Sequence, residues 1–143
     1  MALVYFDSSA FVKLLVNENG TDLAVELWDS CDAAVASVLA YPEVRAALAA
    51  AKRTARLTDR QLRGVEREWE RYWATTRTMG LNDALARAAG DLCRAHALRG
   101  ADGVHLASAL ALANDGIDDL IVAVWDERLK TGSLATGLRV APA

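Results

Sequence analysis

Apolar residues follow two rhythms along this chain. Leu3-Val4-Tyr5-Phe6 and Leu120-Ile121-Val122-Ala123-Val124-Trp125 are unbroken apolar runs, and each stops at an aspartate, Asp7 or Asp126. Short continuous runs of this kind fit strands buried on both faces, as in parallel sheets. Ala33-Ala34-Val35-Ala36 reads as a weaker strand and Leu138-Arg139-Val140 as a short last one.

Elsewhere the apolar positions recur at helical spacing. Ser8 or Ser9 can cap a helix running from Ala10 to about Asn17, with Gly20 beyond its end. Thr21 caps a second helix that carries Leu23, Leu27 and Trp28 on one side. Ser37 opens the next element, with Pro42 in its first turn or so, then Glu43 and the spaced Val44, Ala47, Leu48 and Ala51. Thr58 with Gln61 forms a capping-box pattern ahead of Leu62, Val65, Trp69, Tyr72 and Trp73. Gly80 breaks that pattern. Asn82 caps a helix with Leu85, Ala89, Leu92, Cys93 and His96 inward, and Gly100-Ala101-Asp102-Gly103 reads as a turn leading into the apolar helix Val104–Leu110. Strands separated by helices predict an α/β fold with a mainly parallel sheet. The expectation is a three-layer α/β/α domain over residues 1–143, with a helical pair protruding at roughly 58–78.

Composition narrows the classes. A chain of 143 residues, 53% hydrophobic, fits one domain with a core of its own. No apolar run approaches the roughly 20 residues of a membrane span. The start carries Asp7 early and has no basic n-region, so the chain is expected to be cytoplasmic and not membrane-bound. Cys31 and Cys93 form no CxxC pair and are expected as small core residues. The net charge of −3 discourages a nucleic-acid reading until the distribution of the acids is considered.

Four acids change the picture. Asp7 and Asp126 end apolar strands, Glu43 lies early in the helix after the second strand, and Asp102 lies at the start of an apolar helix. Each alone has an ordinary role as a turn residue or a partner of the helix dipole. All four, however, can converge outside the carboxyl ends of the strands, where open α/β sheets bind ligands. Clustered carboxylates repel, and a fold gains nothing from them unless a cation is present. Oxygen ligands without His or Cys neighbours favour Mg²⁺ or Mn²⁺ over zinc. The chain lacks a phosphate-binding GxxxxGK[ST] loop, a GxGxxG turn and a GxSxG elbow. Of its two histidines, His105 follows Asp102 by one turn and can come near the acids, although a buried core role is the expectation. With no obvious protein nucleophile, the attacking group is water activated by metal, the chemistry of metal-dependent nucleases.

These residues resemble those of PIN-domain nucleases, and specifically VapC-type toxins of bacterial toxin–antitoxin pairs. VYFDSSAFVKLLVNE resembles the family's first acidic motif, YPEVRAAL the second, RGADGVHLASAL the third, and AVWDERLKTGSLATGLRV the last strand and fourth acid. One departure is Gly103, where the family more usually has alanine; it is expected to loosen the helix start. The resemblance implies an α/β/α sheet, a Mg²⁺- or Mn²⁺-dependent endoribonuclease, a cognate VapB-like antitoxin and, commonly, a homodimer. It implies that Asp7, Glu43, Asp102 and Asp126 form the catalytic, metal-binding pocket. Asp7 and Asp102 are the foremost ligands, Asp126 binds a second ion or holds a water, and Glu43 coordinates or orients the attacking water. Ser9 is a secondary candidate through its hydroxyl.

The remaining charge then makes sense. Without the four acids the chain has a slight basic excess, concentrated between Lys52 and Arg77. That segment, with Arg53 and Arg56, can form a phosphate-tracking rim or a solvated helix face laced with i,i+4 pairs. Arg45, Arg128 and Lys130 lie closer in sequence to the acids and are candidates for contact with the scissile strand. Trp69, Tyr72 and Trp73 fit core packing or an interface better than base stacking, and a groove between their helix and Val12, Leu15 and Val16 would suit an antitoxin helix. Two other classes stand beside the nuclease. A haloacid-dehalogenase-like phosphatase with Asp7 as nucleophile would want a second acid at the position of Ser9. A binding module, as an inactive PIN domain or a receiver-like domain, would hold RNA or a partner without turnover.

Overall fold

The computed structural model describes residues 2–143. The elements run β1 (Leu3–Phe6), α1 (Ser8–Leu15), α2 (Thr21–Ser30), β2 (Ala33–Ser37), α3 (Ala40–Arg53), α4 (Asp59–Thr75), β3 (Arg77–Met79), α5 (Asp83–His96), α6 (Gly100–Asn114), β4 (Leu120–Ala123), α7 (Glu127–Ala135) and β5 (Arg139–Ala141). The strands form one sheet in the order β3-β2-β1-β4-β5, and every neighbouring pair is parallel.

The continuous apolar run of β1 makes it the central strand. Val4 and Phe6 enter a core with Phe11 and Leu14 of α1, Leu27 of α2, Val44 and Leu48 of α3 and Trp69 of α4. Leu3 and Tyr5 point to the opposite face, into a core with Leu106 and Ala109 of α6 and Leu129 of α7. Alternate side chains of one strand thus hold two helical layers, which is the three-layer α/β/α arrangement.

Several local features differ from the sequence reading. Asp7 itself caps α1, so the helix starts at Ser8, and neither Ser8 nor Ser9 is the cap. Helix α3 begins at Ala40, and Ser37 ends β2. Gly100–Gly103 is the first turn of α6 instead of a preceding turn. β3 was not anticipated: it is short, and Arg77 and Thr78 are exposed, so no apolar pattern marks it. Residues 58–78 contain the single helix α4 followed by the start of β3, and the helical pair is α4 with α3. The capping box on Thr58 and Gln61 is present. Trp69 is fully buried, packed edge-on against Phe11 and stacked on Tyr41, so it belongs to the core. Cys31 and Cys93 are free and half-buried, each packed against the edge of one of the two cores.

Gly103 also has a different role from the one expected. A Cβ built there would meet Sγ of Cys93 at 2.4 Å and the carbonyl oxygen of Ala89 at 2.7 Å. Glycine therefore allows α6 to lie against α5, immediately beside Asp102. Gly103→Ala gains up to about 1 kcal/mol of helix propensity. It must also push apart two backbones, an overpacking cost of about 1–3 kcal/mol. The expected outcome is a lower melting temperature by circular dichroism; an unchanged or higher value would show that α5 yields freely.

Candidate active site

The chain order reverses across β1: β2 and β3 lie on one side, β4 and β5 on the other. Such a switch point opens a crevice at the carboxyl ends of the strands. The loops after β1 and β4 flank it and are stitched together. Asp7 N donates to the Ala123 carbonyl at 3.1 Å, and Trp125 N donates to Ser9 Oγ at 2.9 Å. Ser9 in turn donates to Asp7 Oδ2 through Oγ at 2.5 Å and through its backbone N at 3.1 Å. Ser9 thus orients Asp7 and ties the two aspartate-bearing loops to one another.

The four acids fall into two halves, each closed by a basic side chain, His105 or Arg99. In the first half, His105 from α6 places Nε2 2.5 Å from Glu43 Oε1 and 3.5 Å from Asp7 Oδ1. Ser8 Oγ donates to the same Glu43 oxygen at 2.6 Å. The other face of the imidazole is held from inside the core: Nδ1 lies 2.8 Å from the Tyr5 hydroxyl, which accepts from Ser37 N at 3.2 Å. In the second half, Arg99 Nε lies 3.1 Å from Asp102 Oδ2 and Arg99 Nη2 lies 3.1 Å from Asp126 Oδ2. Asp126 caps α7 with its other oxygen, accepting from Leu129 N at 3.0 Å.

Burial sets the electrostatics. Asp7 is 5% exposed, and loss of water pushes its carboxyl above the usual range; the positive charge of His105 and the Ser9 hydrogen bonds offset this only in part. Burial also pushes Glu43 up, but the hydrogen bonds from His105 and Ser8 outweigh it and hold Glu43 below the usual value. For His105 burial favours the neutral ring, and Glu43 with the charge of Asp7 overcomes it, so the imidazole is raised. The charge of Arg99 acts on Glu43 and that of Asp102 on His105, so the two halves lie within electrostatic reach of one another.

The donor set of hard carboxylate oxygens suits Mg²⁺ or Mn²⁺. Among the described residues, no three His, Cys, Asp or Glu side chains already stand in a metal-holding arrangement. The oxygens face Arg99 and His105 instead.

Residues 4–117 match the PIN domain family. This chain belongs to that family. It is 62% identical over 143 residues to Ribonuclease VapC45 of Mycobacterium tuberculosis strain CDC 1551 / Oshkosh, an alignment covering 100% of this chain and 97% of the relative. Its fold is that of FitAcB from Neisseria gonorrhoeae, with TM-score 0.70, 16% identity and 96% and 95% of the two chains covered. It is also that of a toxin–antitoxin complex from Klebsiella pneumoniae, with TM-score 0.61, 18% identity and 88% and 87% coverage.

The basic candidates of this PIN domain lie on different elements. Arg45 on α3 contacts Tyr41 at 3.1 Å and Glu66 at 3.6 Å. Arg56 pairs with Glu18 at 2.8 Å. Arg53 and Arg128 are exposed, and Lys130 Nζ lies 3.4 Å from the carbonyl of Ala143. The ion pairs of the basic segment link separate elements, as in Arg45–Glu66 and Arg56–Glu18, instead of running i,i+4 along α4. Sequence reasoning missed Arg99 and Ser8 and left His105 in the core. His105 is indeed buried at 1%, but its buried ring reaches the acids. The available signal was its spacing from Asp102, one turn along the same helix. Among the described residues, no helix is long and apolar enough to cross a membrane.

Proposed function

We propose that this PIN domain is a VapC-type toxin, a cytoplasmic endoribonuclease that hydrolyses RNA phosphodiester bonds with water and a divalent ion in the Asp7–Glu43–Asp102–Asp126 pocket. The observation that carries it is the pairing of the acids by shared basic side chains, Asp7 with Glu43 through His105 and Asp102 with Asp126 through Arg99, with Asp7 and Asp102 both almost fully buried. Full-length identity of 62% to a ribonuclease supports the reaction class and displaces the dehalogenase-like alternative.

Asp7 and Asp102 would hold the ion, with Asp126 and Glu43 beside them. When bound, Mg²⁺ or Mn²⁺ supplies the charge that acidifies water and offsets charge developing at phosphorus. The chain's own residues do the rest. Glu43 is kept ionised, with Oε1 fixed by Ser8 and His105, which leaves Oε2 to accept a proton from the attacking water. Ser9 fixes the rotamer of Asp7. Arg128 and Lys130 on α7, and Arg45, Arg53 and Arg56 on the α3 side, supply phosphate contacts along the RNA.

A cognate antitoxin neutralises the toxin in this reading. Leu15 is already buried, so Val12 and Val16 are what remains of the expected α1–α4 groove for its helix. A homodimer would use the groove of about 770 Å³ between α5 and α6, lined by Leu85, Leu92 and Leu110.

Cleavage of structured RNA is expected with Mg²⁺ or Mn²⁺ and is expected to stop with EDTA. Millimolar Mn²⁺ is expected to raise the melting temperature, since binding at a hundredfold excess over Kd stabilises the native state by about 2.7 kcal/mol. EDTA-resistant cleavage by protein freed of host nucleases would overturn the metal mechanism.

A further inference from the structure

Resting on the metal-dependent reading of the pocket, we infer that Arg99 is a built-in competitor of the metal, holding the Asp102 and Asp126 carboxylates in the metal-free chain and leaving them as the ion enters. Three observations carry this. The guanidinium bridges the two aspartates from different elements, with one nitrogen on each Oδ2 at 3.1 Å. It is 61% exposed, so it can swing into water at little cost, whereas Asp102 is buried and fixed at the start of α6. Among the described residues the acids form no ready metal group, and the oxygens an ion would need are the ones that Arg99 contacts.

The arrangement solves a folding problem. Asp102 and Asp126 would repel across the crevice in a chain folding without metal. Arginine neutralises them with a planar fork that meets two acceptors at once. Because both cations seek the same oxygens, the coupling is reciprocal: what Arg99 gives the metal-free fold, it takes from metal affinity. The backbone N of Arg99 also donates to Asp102 Oδ2 at 3.3 Å, and this bond survives replacement of the side chain.

The test is isothermal titration of Mn²⁺ into metal-free protein without RNA, for the native chain, Arg99→Gln, Arg99→Lys and Arg128→Gln. Arg99→Gln is expected to bind Mn²⁺ about tenfold more tightly. It is also expected to melt lower than the native chain in EDTA and to gain more from Mn²⁺. Arg99→Lys, which keeps the charge and loses the fork, should fall between. Arg128→Gln, exposed on the neighbouring helix, controls for charge acting through space and should change affinity less than about twofold. Equal or weaker Mn²⁺ binding by Arg99→Gln, with the native chain binding normally, overturns the inference and leaves the metal reading intact. Equal tightening by Arg128→Gln also overturns it. Absence of Mn²⁺ binding in every chain overturns both.

Discussion

Asp7→Asn is expected to abolish RNA cleavage and, in EDTA, to make the protein melt at a higher temperature than the native chain. The two effects share one cause. Asp7 is 5% exposed and its carboxyl is raised, chiefly by burial. A carboxyl whose folded value lies above its ordinary 3.8 costs stability once it ionises, so the metal-free fold loses stability as pH rises through that range and stays weakened at neutral pH. His105, at 3.5 Å and shared with Glu43, compensates only in part. Asparagine keeps an acceptor for the Ser9 backbone N that caps α1 and removes the charge. Relief of about 1 kcal/mol, or roughly 3 °C for a chain of this size, is expected. Activity goes the other way. If Asp7 holds the ion as proposed, its loss would remove several kcal/mol of charge stabilisation at phosphorus, about a thousandfold or more in rate. Melting in Mn²⁺ closes the argument, because the native chain should gain and the variant should not. A variant that melts lower in EDTA would mean that the Asp7 charge is already well compensated, and the proposed strain would be discarded.

That result also indicates what the sequence could and could not reveal. The acids were legible because each sits where a local pattern changes: Asp7 and Asp126 after apolar strands, Glu43 and Asp102 in first helical turns. The sheet was legible for the same reason, since β1 and β4 are continuous apolar runs between helical stretches. The cations that organise the pocket were not. His105 meets Glu43 across 62 positions and Arg99 meets Asp126 across 27, and no periodicity encodes such a pairing. Gly103 shows the same limit from the packing side. Its meaning depends on Ala89 and Cys93 of another helix, so a preference table reads it as a weak helix former. β3 was hidden because an exposed three-residue edge strand needs only backbone pairing with β2.

His105→Leu is expected to be the most destabilising substitution at the site, and to erase a pH dependence that the native chain shows. His105 is 1% exposed and serves three partners, Glu43, Asp7 and Tyr5. Leucine fills the space but leaves the buried Tyr5 hydroxyl with Ser37 N as its remaining partner and Asp7 without a counter-charge. Breaking a buried pair from one side costs about 3–5 kcal/mol, and the partial exposure of Glu43 places this case near the lower end, at about 3 kcal/mol. The pH dependence follows from the directions of the shifts. His105 is raised above 6.5, so its contribution is fully present below that value and is lost as pH rises through the folded value. Glu43 is lowered below 4.5, so its contribution is present above that value and is lost as pH falls through the folded value. Between pH 4.5 and 6.5 both contributions are present, while ionisation of Asp7 pulls the other way from pH 3.8 upward. In EDTA the native melting temperature should therefore decline as pH is raised from 6.5 towards 9, whereas His105→Leu should melt at a lower but nearly constant temperature over the same range. A native curve that stays flat above pH 6.5 would mean that the imidazole remains neutral against Glu43. The pocket would then be held by hydrogen bonds alone, and the loss in the leucine variant should shrink to about 1 kcal/mol per missing bond.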